Sequence, residues 1–281
     1  MRQACIAASG LGDALLMMIA AHQLERQGHD VALYTDRADV IAPLFPDCDV
    51  RPFDLDSVGT ADHIYLQNDN SARAWHFFNE RDRYPHLTVL FPKPSRMARE
   101  GDILFDPKAT FVETMERHFG GRENSLEVGR REEGFIAIHP TSADRRKAYP
   151  KWKTERLAAL LESRGWEVAL VMSPNEAAEW EGFGYRYIAT PSLRELADAL
   201  AGAAGCVATD SFVGHLASCV GTATVTLAPK AIPIWRPGWS RGCVITPRIP
   251  WPNWKGIGLR MREWWWHVDI GPKRIAAACE D

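Results

Sequence analysis

The chain has 281 residues, of which 46% are hydrophobic and 25% charged, and its formal net charge is −3. This composition is that of a globular protein, and the length suffices for two domains of ordinary size. The slight acidic excess excludes nucleic acid as a partner attracted by the whole molecule, so any basic binding surface must be local.

The cysteine pattern and the apolar runs indicate where the protein works. Six scattered cysteines without a C-x-x-C pair favour a reduced cytosolic compartment. Gly10, Gly12 and Asp13 interrupt the N-terminal apolar run, so we expect no secretory signal. No stretch approaches the roughly 18 to 20 apolar residues of a transmembrane helix. We therefore expect a cytoplasmic protein without a transmembrane segment.

The N-terminus reads as a βαβ unit with a glycine-bearing first turn. Residues 4–8 form an apolar run, the turn carries Gly10 and Gly12, and helical spacing follows until Gly28. Such a turn can hold a phosphate, but Leu15 stands where G-x-G-x-x-G has its third glycine. Asp36, after the second strand, lies where a ribose-binding acid would lie, so a nicotinamide-binding alternative stays open.

Asp13 has two interpretations. It opens a helix, where the macrodipole favours an ionised carboxylate, and at the carboxyl edge of a parallel sheet it could act as a general base. Alternatively, it only stabilises the start of the helix, which is the commoner role of such a residue.

Strands and helices alternate through the rest of this half. Helices are predicted at 40–44, 71–78 and 111–119, and strands at 31–34, 48–53, 63–66 and 87–91. Gly120–Gly134 is charged, glycine-bearing and poor in apolar residues, so we interpret it as an interdomain linker. The predicted domains are residues 1–130 and 131–281, and packing of the last helix back on the first domain stays open.

The second half begins with a strand at 135–139, followed by Thr141 and Ser142. A dense basic run follows, ahead of a helix at 154–164, and it consists of Arg145, Arg146, Lys147, Lys151 and Lys153. Lys147 is its candidate ligand. Hydroxyls and cations at a strand end suit a diphosphate. Strands follow at 167–172 and 185–189, and Glu176 could hydrogen-bond ribose hydroxyls or complement a helix dipole.

Residues 205–227 read as strand, polar turn, helix and strand. Ser211 is a good N-cap, His215 lies one turn later on the same face, and Gly221 occupies a left-handed helix end. Free amides at such a helix start suit an anion. Residues 229–254 are rich in Pro and Trp and are predicted to be ordered loops. The run Trp264–Trp266 could fill the core, stack on a ligand or contact a membrane surface.

Three motifs together resemble glycosyltransferase family 9, the ADP-heptose:lipopolysaccharide heptosyltransferases. The motifs are Gly12-Asp13-Ala14-Leu15-Leu16, then His139-Pro140-Thr141-Ser142 with Lys147-Ala148-Tyr149-Pro150, then Asp210-Ser211 and His215-Leu216-Ala217 with Gly221-Thr222. The resemblance implies the α/β GT-B fold, two doubly wound Rossmann-type domains facing across a cleft. It further implies an inverting, metal-independent enzyme without a cofactor.

The resemblance also implies roles for individual residues. Asp13 would be the base that deprotonates the acceptor hydroxyl, and Glu176 would bind the nucleoside. The donor diphosphate would be held by Thr141, Ser142, Lys147, Asp210, Ser211 and His215. The substrates would be a nucleotide-sugar donor such as ADP-heptose and a saccharide or glycolipid acceptor, with peripheral membrane contact left open.

One departure from the family pattern sustains a second hypothesis. Phe212 stands where the family has glycine and puts bulk into the phosphate turn, while Gly214 could return the lost backbone freedom. The alternatives to a transferase are therefore a non-catalytic nucleotide-sugar binder and, third, an NAD-dependent oxidoreductase.

Overall fold

The computed structural model describes residues 1–129, 134–180 and 182–280. The chain forms two compact units, one of Met1–Leu126 with Pro233–Trp235 and one of Glu127–Ile232 with Arg236–Asp281. The boundary predicted between residues 130 and 131, like residues 130–133 of the predicted linker, lies outside the described residues.

The first unit is a parallel sheet with helical crossovers, in the order β3-β2-β1-β4-β5-β6. Its elements are β1 (Arg2–Ile6), α1 (Leu11–Arg26), β2 (Asp30–Thr35), α2 (Ala38–Ile41), β3 (Asp49–Pro52), α3 (Leu55–Val58), β4 (His63–Gln67), α4 (Ala72–Asn79), β5 (Leu87–Phe91), β6 (Ile103–Leu104) and α5 (Phe111–Phe119). The two-residue β6 was not predicted, because so short a strand leaves no alternation to detect.

Helix α1 is the central helix of this unit. It packs against the sheet on one side and against α5 on another, and every residue from Ala14 to Ala21 is buried. A helix covered on more than one side is apolar around most of its circumference. This explains the run Leu15–Ala21, in which apolar residues occur at every position.

The second unit repeats the same topology, in the order β12-β11-β10-β7-β8-β9. Its elements are β7 (Phe135–His139), α6 (Lys151–Glu162), β8 (Glu167–Met172), α7 (Pro174–Ala177), β9 (Arg186–Ala189), α8 (Leu193–Gly202), β10 (Gly205–Thr209), α9 (Phe212–Cys219), β11 (Ala223–Leu227), β12 (Gly242–Ile245), α10 (Met261–Trp265) and α11 (Pro272–Ala278). Within each unit, numbering the strands by chain order gives 3-2-1-4-5-6, the doubly wound Rossmann order.

The prediction that residues 229–254 form loops throughout is wrong at strand β12. It pairs in parallel with β11 at the sheet edge, where Val225 lies beside Cys243. A Cβ on Gly242 would approach the carbonyl oxygen of Thr224 to 2.8 Å, so this pairing needs glycine. Four residues between proline-rich segments were too few for the sequence pattern to indicate a strand.

The first residues of the predicted linker belong to the first unit. The Gln23 side-chain amide on α1 donates to the backbone carbonyl of Glu123 at 3.2 Å, and Gln27 donates to the carbonyl of Phe119 at 3.0 Å. Polar side chains on and just after α1 therefore hold the end of α5 and the chain that follows it.

The C-terminal segment completes the core of the second unit. Trp266 is fully buried, and its indole nitrogen donates to the carbonyl of Arg146 at 2.7 Å. The hydroxyl of Tyr149 donates to the carbonyl of Ile270 at 2.8 Å, and α11 packs on α6. Of the three consecutive tryptophans, Trp266 therefore fills the core, whereas Trp264 and Trp265 are exposed.

We expect replacement of Trp266 by alanine to lower the free energy of unfolding by about 3–5 kcal/mol, because it removes a buried ring and leaves a cavity. Its neighbour provides the control: Trp264→Ala, at an exposed position, should change stability by less than about 0.5 kcal/mol. Urea unfolding followed by circular dichroism measures both. Equal effects of the two substitutions would contradict the assignment of Trp266 to the core.

Candidate active site

In each unit the strand order reverses between two central strands, and polar side chains gather at the carboxyl ends of those strands. In the first unit these strands are β1 and β4. Asp13 lies in the helix that follows β1, and Gln67 is the last residue of β4. In the second unit they are β7 and β10, followed by Thr141 and Asp210. Ligands of open α/β sheets bind at such switch points, so each unit has its candidate site there.

Asp13, the third residue of α1, is held by a side chain that the sequence analysis missed. The Gln67 amide nitrogen donates to Asp13 Oδ1 at 2.6 Å, while Gln67 Oε1 accepts from the Ala8 backbone amide at 3.2 Å. Since a backbone N–H can only donate, this second bond orients the amide so that its NH2 group faces the carboxylate. The signal was a buried polar residue at the end of an apolar strand.

The turn before α1 is shaped around the same carboxylate. Gly10 is the N-cap, and a Cβ there would come within 2.5 Å of Asp13 Oδ2. Gly12 is the second residue of the helix. The glycine turn, which by its sequence could also hold a phosphate, thus makes room for a side-chain carboxylate at the helix N-terminus.

The environment of Asp13 favours proton uptake. Burial is the main cause that raises the pKa of Asp13 above its usual value, and the negative charge of Asp69 adds to it. Hydrogen bonds from Gln67 and Gly10 act in the opposite direction but do not cancel the effect. The helix dipole alone had suggested a strongly ionised carboxylate, whereas the structure gives a stronger base than an exposed aspartate.

A pocket of about 210 Å³ opens beside Asp13. Its lining combines the ends of β1, β4 and β5 with one indole: Ala8, Ser9, Asp13, Gln67, Asn68, Asp69, Asn70, Pro92, Lys93 and Trp235. Trp235, one of the three later residues that join the first unit, stacks on Phe111 with ring centroids 5.6 Å apart. An aromatic ring among amides, carboxylates and one cation suits a hydroxylated ligand.

The residues of the nicotinamide alternative are engaged differently. Asp36 pairs with the Arg73 guanidinium, which also donates to the Ala7 carbonyl at 3.1 Å. Arg73 lies 4.0 Å above the Phe53 ring and is largely buried. Asp36 therefore holds α4 and β2 together, and the helix N-terminus that would receive a pyrophosphate faces the Asp13 carboxylate. Neither position favours a dinucleotide.

In the second unit the structure joins two predicted ligands. The Thr141 hydroxyl donates to Glu176 Oε1 at 2.5 Å, and His139 Nε2 lies 3.4 Å from the same oxygen. Glu176 Oε2 accepts from the backbone amide of Ser173, forming a capping box at α7. Burial alone would raise the pKa of Glu176. The hydrogen bond and charge of His139, together with the hydrogen bond from the Thr141 hydroxyl, instead hold this pKa well below the usual range.

Lys147 is the member of the basic run that reaches the switch point. Its amine lies 2.9 Å from Asp210 Oδ2, and Ser142 is half-buried next to Thr141. Two other cations of the run are used elsewhere. Arg146 pairs with Asp144 and Glu263, and Lys153 is buried with its amine on the carbonyls of the 267–270 turn. Lys147 is therefore at the site, whereas Arg146 and Lys153 hold other parts of the second unit.

Helix α9, which begins two residues after Asp210, and the adjacent strand β11 carry unpaired polar atoms. Ser211 is its N-cap residue but makes no side-chain capping bond. In the described part of the chain, Ser211 Oγ, His215 Nδ1 and Thr226 Oγ1 are buried without a hydrogen-bond partner. Buried polar atoms are normally paired, and Ser211 and His215 lie one helical turn apart, so these two unpaired atoms favour a polar ligand at the start of α9.

Two predictions about α9 are settled by its backbone. Gly221 has φ of 88° just after the helix, as predicted for its left-handed end. Gly214 lies within the helix and is not among the residues with positive φ. The expectation that Gly214 restores backbone freedom lost at Phe212 is therefore wrong, because a helical residue uses none of the extra freedom of glycine.

His215 is uncharged at neutral pH. Burial lowers its pKa to about 4, with the nearby Lys147 charge acting in the same direction and Asp210 opposing it. A neutral imidazole can still donate one hydrogen bond to a phosphate oxygen.

Nothing in the described parts of the chain resembles a metal centre or a membrane span. No group of three or more His, Cys, Asp or Glu side chains there could hold a metal ion. The longest described helix, α1, has 16 residues, and none has the length and apolarity needed to cross a bilayer.

Comparisons with known proteins agree with this architecture. The chain is similar in structure to Escherichia coli ADP-heptose lipopolysaccharide heptosyltransferase II (17% identity, 100% of this chain and 98% of that chain, TM-score 0.68). It is also similar to a family 9 glycosyltransferase from Veillonella parvula (15%, 99% and 96%, TM-score 0.70) and to E. coli heptosyltransferase WaaC with ADP (16%, 87% and 93%, TM-score 0.59). No curated protein matches the sequence.

Two doubly wound units with these structural relatives define the GT-B class of glycosyltransferase fold. The family model of glycosyltransferase family 9 (heptosyltransferase) matches residues 107–246. The chain belongs to this family and is a glycosyltransferase, as its three sequence motifs predicted.

The lowered pKa of His215 predicts how stability depends on pH. Since the unfolded chain takes up this proton near pH 6.5 and the folded chain only near 4, stability is complete above 6.5 and falls as the pH drops towards 4. Between pH 7.5 and 5 we expect His215 to contribute a loss of about 2 kcal/mol.

Urea unfolding at both pH values should show that loss reduced in His215→Gln. His86→Gln, at an exposed position, is the matched control and should behave like the parent protein. An unchanged acid sensitivity of His215→Gln would show that the folded protein protonates His215 as readily as the unfolded chain does.

Proposed function

We propose that this protein transfers a sugar, heptose from ADP-heptose, to a hydroxyl group of a saccharide acceptor, with inversion and without a metal ion. The observation that carries the proposal is the Asp13 carboxylate, oriented by Gln67 and opening into a pocket with an aromatic wall. The ADP-bound structural relative WaaC supports the choice of nucleotide. We expect the reaction to take place in the cytosol.

Asp13 supplies the base in this proposal. Its carboxylate accepts the proton of the acceptor hydroxyl as the oxygen attacks the anomeric carbon. A bond forms between that oxygen and the carbon, and the bond from the carbon to the donor phosphate breaks, with its electron pair leaving on the nucleoside diphosphate. One attack from the side opposite the leaving group inverts the anomeric carbon, and it requires one base rather than a nucleophile.

The second unit binds the donor and stabilises the leaving group. Lys147 supplies a positive charge, and the free amides at the start of α9 supply donors at the positive end of the helix dipole. Within the described residues, Nδ1 of the neutral His215 and the Ser211 hydroxyl lack hydrogen-bond partners. A cation, hydroxyls and helix amides can offset diphosphate charge, which supports a metal-independent reaction.

Thr141, Ser142 and Glu176 extend this site towards the nucleoside. Thr141 and Glu176 hydrogen-bond each other, so the predicted phosphate and ribose contacts adjoin. The ionised Glu176 carboxylate can accept a further hydrogen bond from a ribose hydroxyl, because each carboxylate oxygen has more than one acceptor site.

Phe212 favours one other candidate function, a binder of nucleotide sugars without transfer. It is the first residue of α9, directly after the orphaned Ser211 hydroxyl. If its ring blocks the productive position of the donor, titration with ADP-heptose saturates and no acceptor gains a sugar. Phe212→Gly would then create activity, whereas in a working transferase it changes mainly donor affinity.

We expect Asp13→Asn to reduce transfer by about a hundredfold or more while ADP still raises the thermal stability of the protein. Asparagine keeps the shape and the Gln67 contact but cannot accept the proton. ADP release from ADP-heptose measures transfer. Asp36→Asn, which alters a carboxylate paired with Arg73, is the control and should retain activity within a fewfold. Loss of ADP binding together with transfer would make Asp13 structural.

The acid limb of the pH profile of kcat/KM should follow the raised pKa of Asp13, so activity increases with pH through that pKa. Asp69→Asn removes a negative charge that raises this pKa while keeping an oxygen for the Ser71 amide. The acid limb of this variant should move to lower pH. A shift to higher pH, or none, would argue that another group accepts the proton.

A further inference from the structure

Exposed apolar side chains are concentrated in residues 248–268, called here the aromatic segment. Among the described residues, seven of fifteen exposed large apolar side chains lie in it: Ile249, Trp254, Ile257, Leu259, Trp264, Trp265 and Val268. Ile257 is 70% exposed and Trp254 57%. Soluble proteins rarely gather so many exposed apolar groups without a partner.

The aromatic segment is folded on itself. Trp254 and Leu259 pair across an antiparallel bridge, with backbone bonds of 2.8 and 3.2 Å, so their side chains share one face. Ile257 lies in the turn between them. The Trp251 ring meets the Trp265 ring edge-on at 5.8 Å, and Arg262 Nε donates to the Trp251 carbonyl. The apolar groups are therefore presented in an ordered conformation, not as a loose coil.

This segment is also basic, in contrast to the whole chain. It contains four Lys or Arg residues and one acidic residue, whereas the chain has an acidic excess of three. Arg248 and Arg260 are exposed next to the apolar groups. Tryptophan with flanking basic residues is typical of surfaces that insert at the boundary between lipid headgroups and hydrocarbon.

We propose that the aromatic segment docks on a bilayer surface that contains anionic lipids. Its positive charge attracts the headgroups, and its Trp, Ile and Leu side chains enter the interface. A second copy of the chain is a poorer partner, because pairing two such segments would bring like charges together. A soluble saccharide would stack on the indoles but would leave Ile249, Ile257 and Val268 exposed.

The aromatic segment is tied to the proposed donor site. Glu263 in α10 pairs with Arg146 at 2.6 Å, and the Trp266 indole donates to the Arg146 carbonyl. Arg146 directly precedes Lys147. Docking would therefore hold the donor-binding loop close to the lipid surface. This consequence rests on the proposed function, whereas the docking proposal does not depend on it.

Flotation of the full-length protein with lipid vesicles tests the proposal. With phosphatidylcholine vesicles containing about 30% phosphatidylglycerol, at about 0.1 M salt, the protein should float with the lipid. Pure phosphatidylcholine or about 0.5 M salt should weaken binding by roughly tenfold, because both remove the electrostatic attraction. Failure to float with anionic vesicles under any of these conditions would overturn the proposal.

Two variants locate the surface, and both change exposed positions, so the fold should persist. Trp254→Ser with Ile257→Ser should weaken binding to anionic vesicles roughly tenfold, and Arg248→Gln with Arg260→Gln by a similar factor. Trp152→Ser is the matched control, since Trp152 is 54% exposed on α6 and outside the segment. It should bind like the parent protein.

Binding that survives both double substitutions would assign the lipid contact to another surface and reject this one. A concentration-dependent dimer that Trp254→Ser with Ile257→Ser abolishes, in a protein that does not float, would identify a second copy as the partner instead. Vesicle binding needs neither donor nor acceptor. Its failure would therefore leave the transferase proposal intact, and loss of transfer in Asp13→Asn would leave the docking proposal intact.

Discussion

In both sheets the strand order reverses between two central parallel strands, and the chains leaving those strands diverge to opposite faces of the sheet. The polar groups that follow these strands are thereby brought together where no crossover helix covers them. In the first unit, the reversal places Gln67 at the end of β4 against Asp13 after β1. In the second, it places Asp210 after β10 against Lys147 from the loop after β7. Each site depends on this topology, because its partners are about 50 or more residues apart in sequence.

Two carboxylates near helix starts show how the surroundings determine the chemistry of identical groups. Asp13 is buried and receives too few hydrogen bonds to offset that burial, so its pKa rises. Glu176 is also partly buried, but Thr141, His139 and Ser173 surround it with donors, and its pKa falls. The first arrangement suits proton acceptance, and the second suits a permanently ionised acceptor of hydrogen bonds. The helix dipole acts on both groups and so cannot explain the difference between them.

The second unit is completed by its C-terminal segment. Trp266 fills the core and binds the carbonyl of Arg146, while Lys153 donates to carbonyls in the 267–270 turn. Cations that resembled a phosphate cluster in the sequence are thus used to hold this segment. The same attachment leaves the neighbouring tryptophans at the surface, where the aromatic segment combines apolar and basic side chains.

The sequence by itself determined the alternation of strands and helices, because apolar runs and glycine at helix ends are local signals. The strand bounds at Leu87–Phe91 and Phe135–His139 and the left-handed Gly221 agree with it. The motifs also determined the family. Only the tertiary structure decided which partners meet: Gln67 with Asp13, Thr141 with Glu176, and the strand β12 with β11. Hydrogen bonds across a sheet edge, and the burial that shifts a pKa, depend on distances in space that spacing along the chain does not encode.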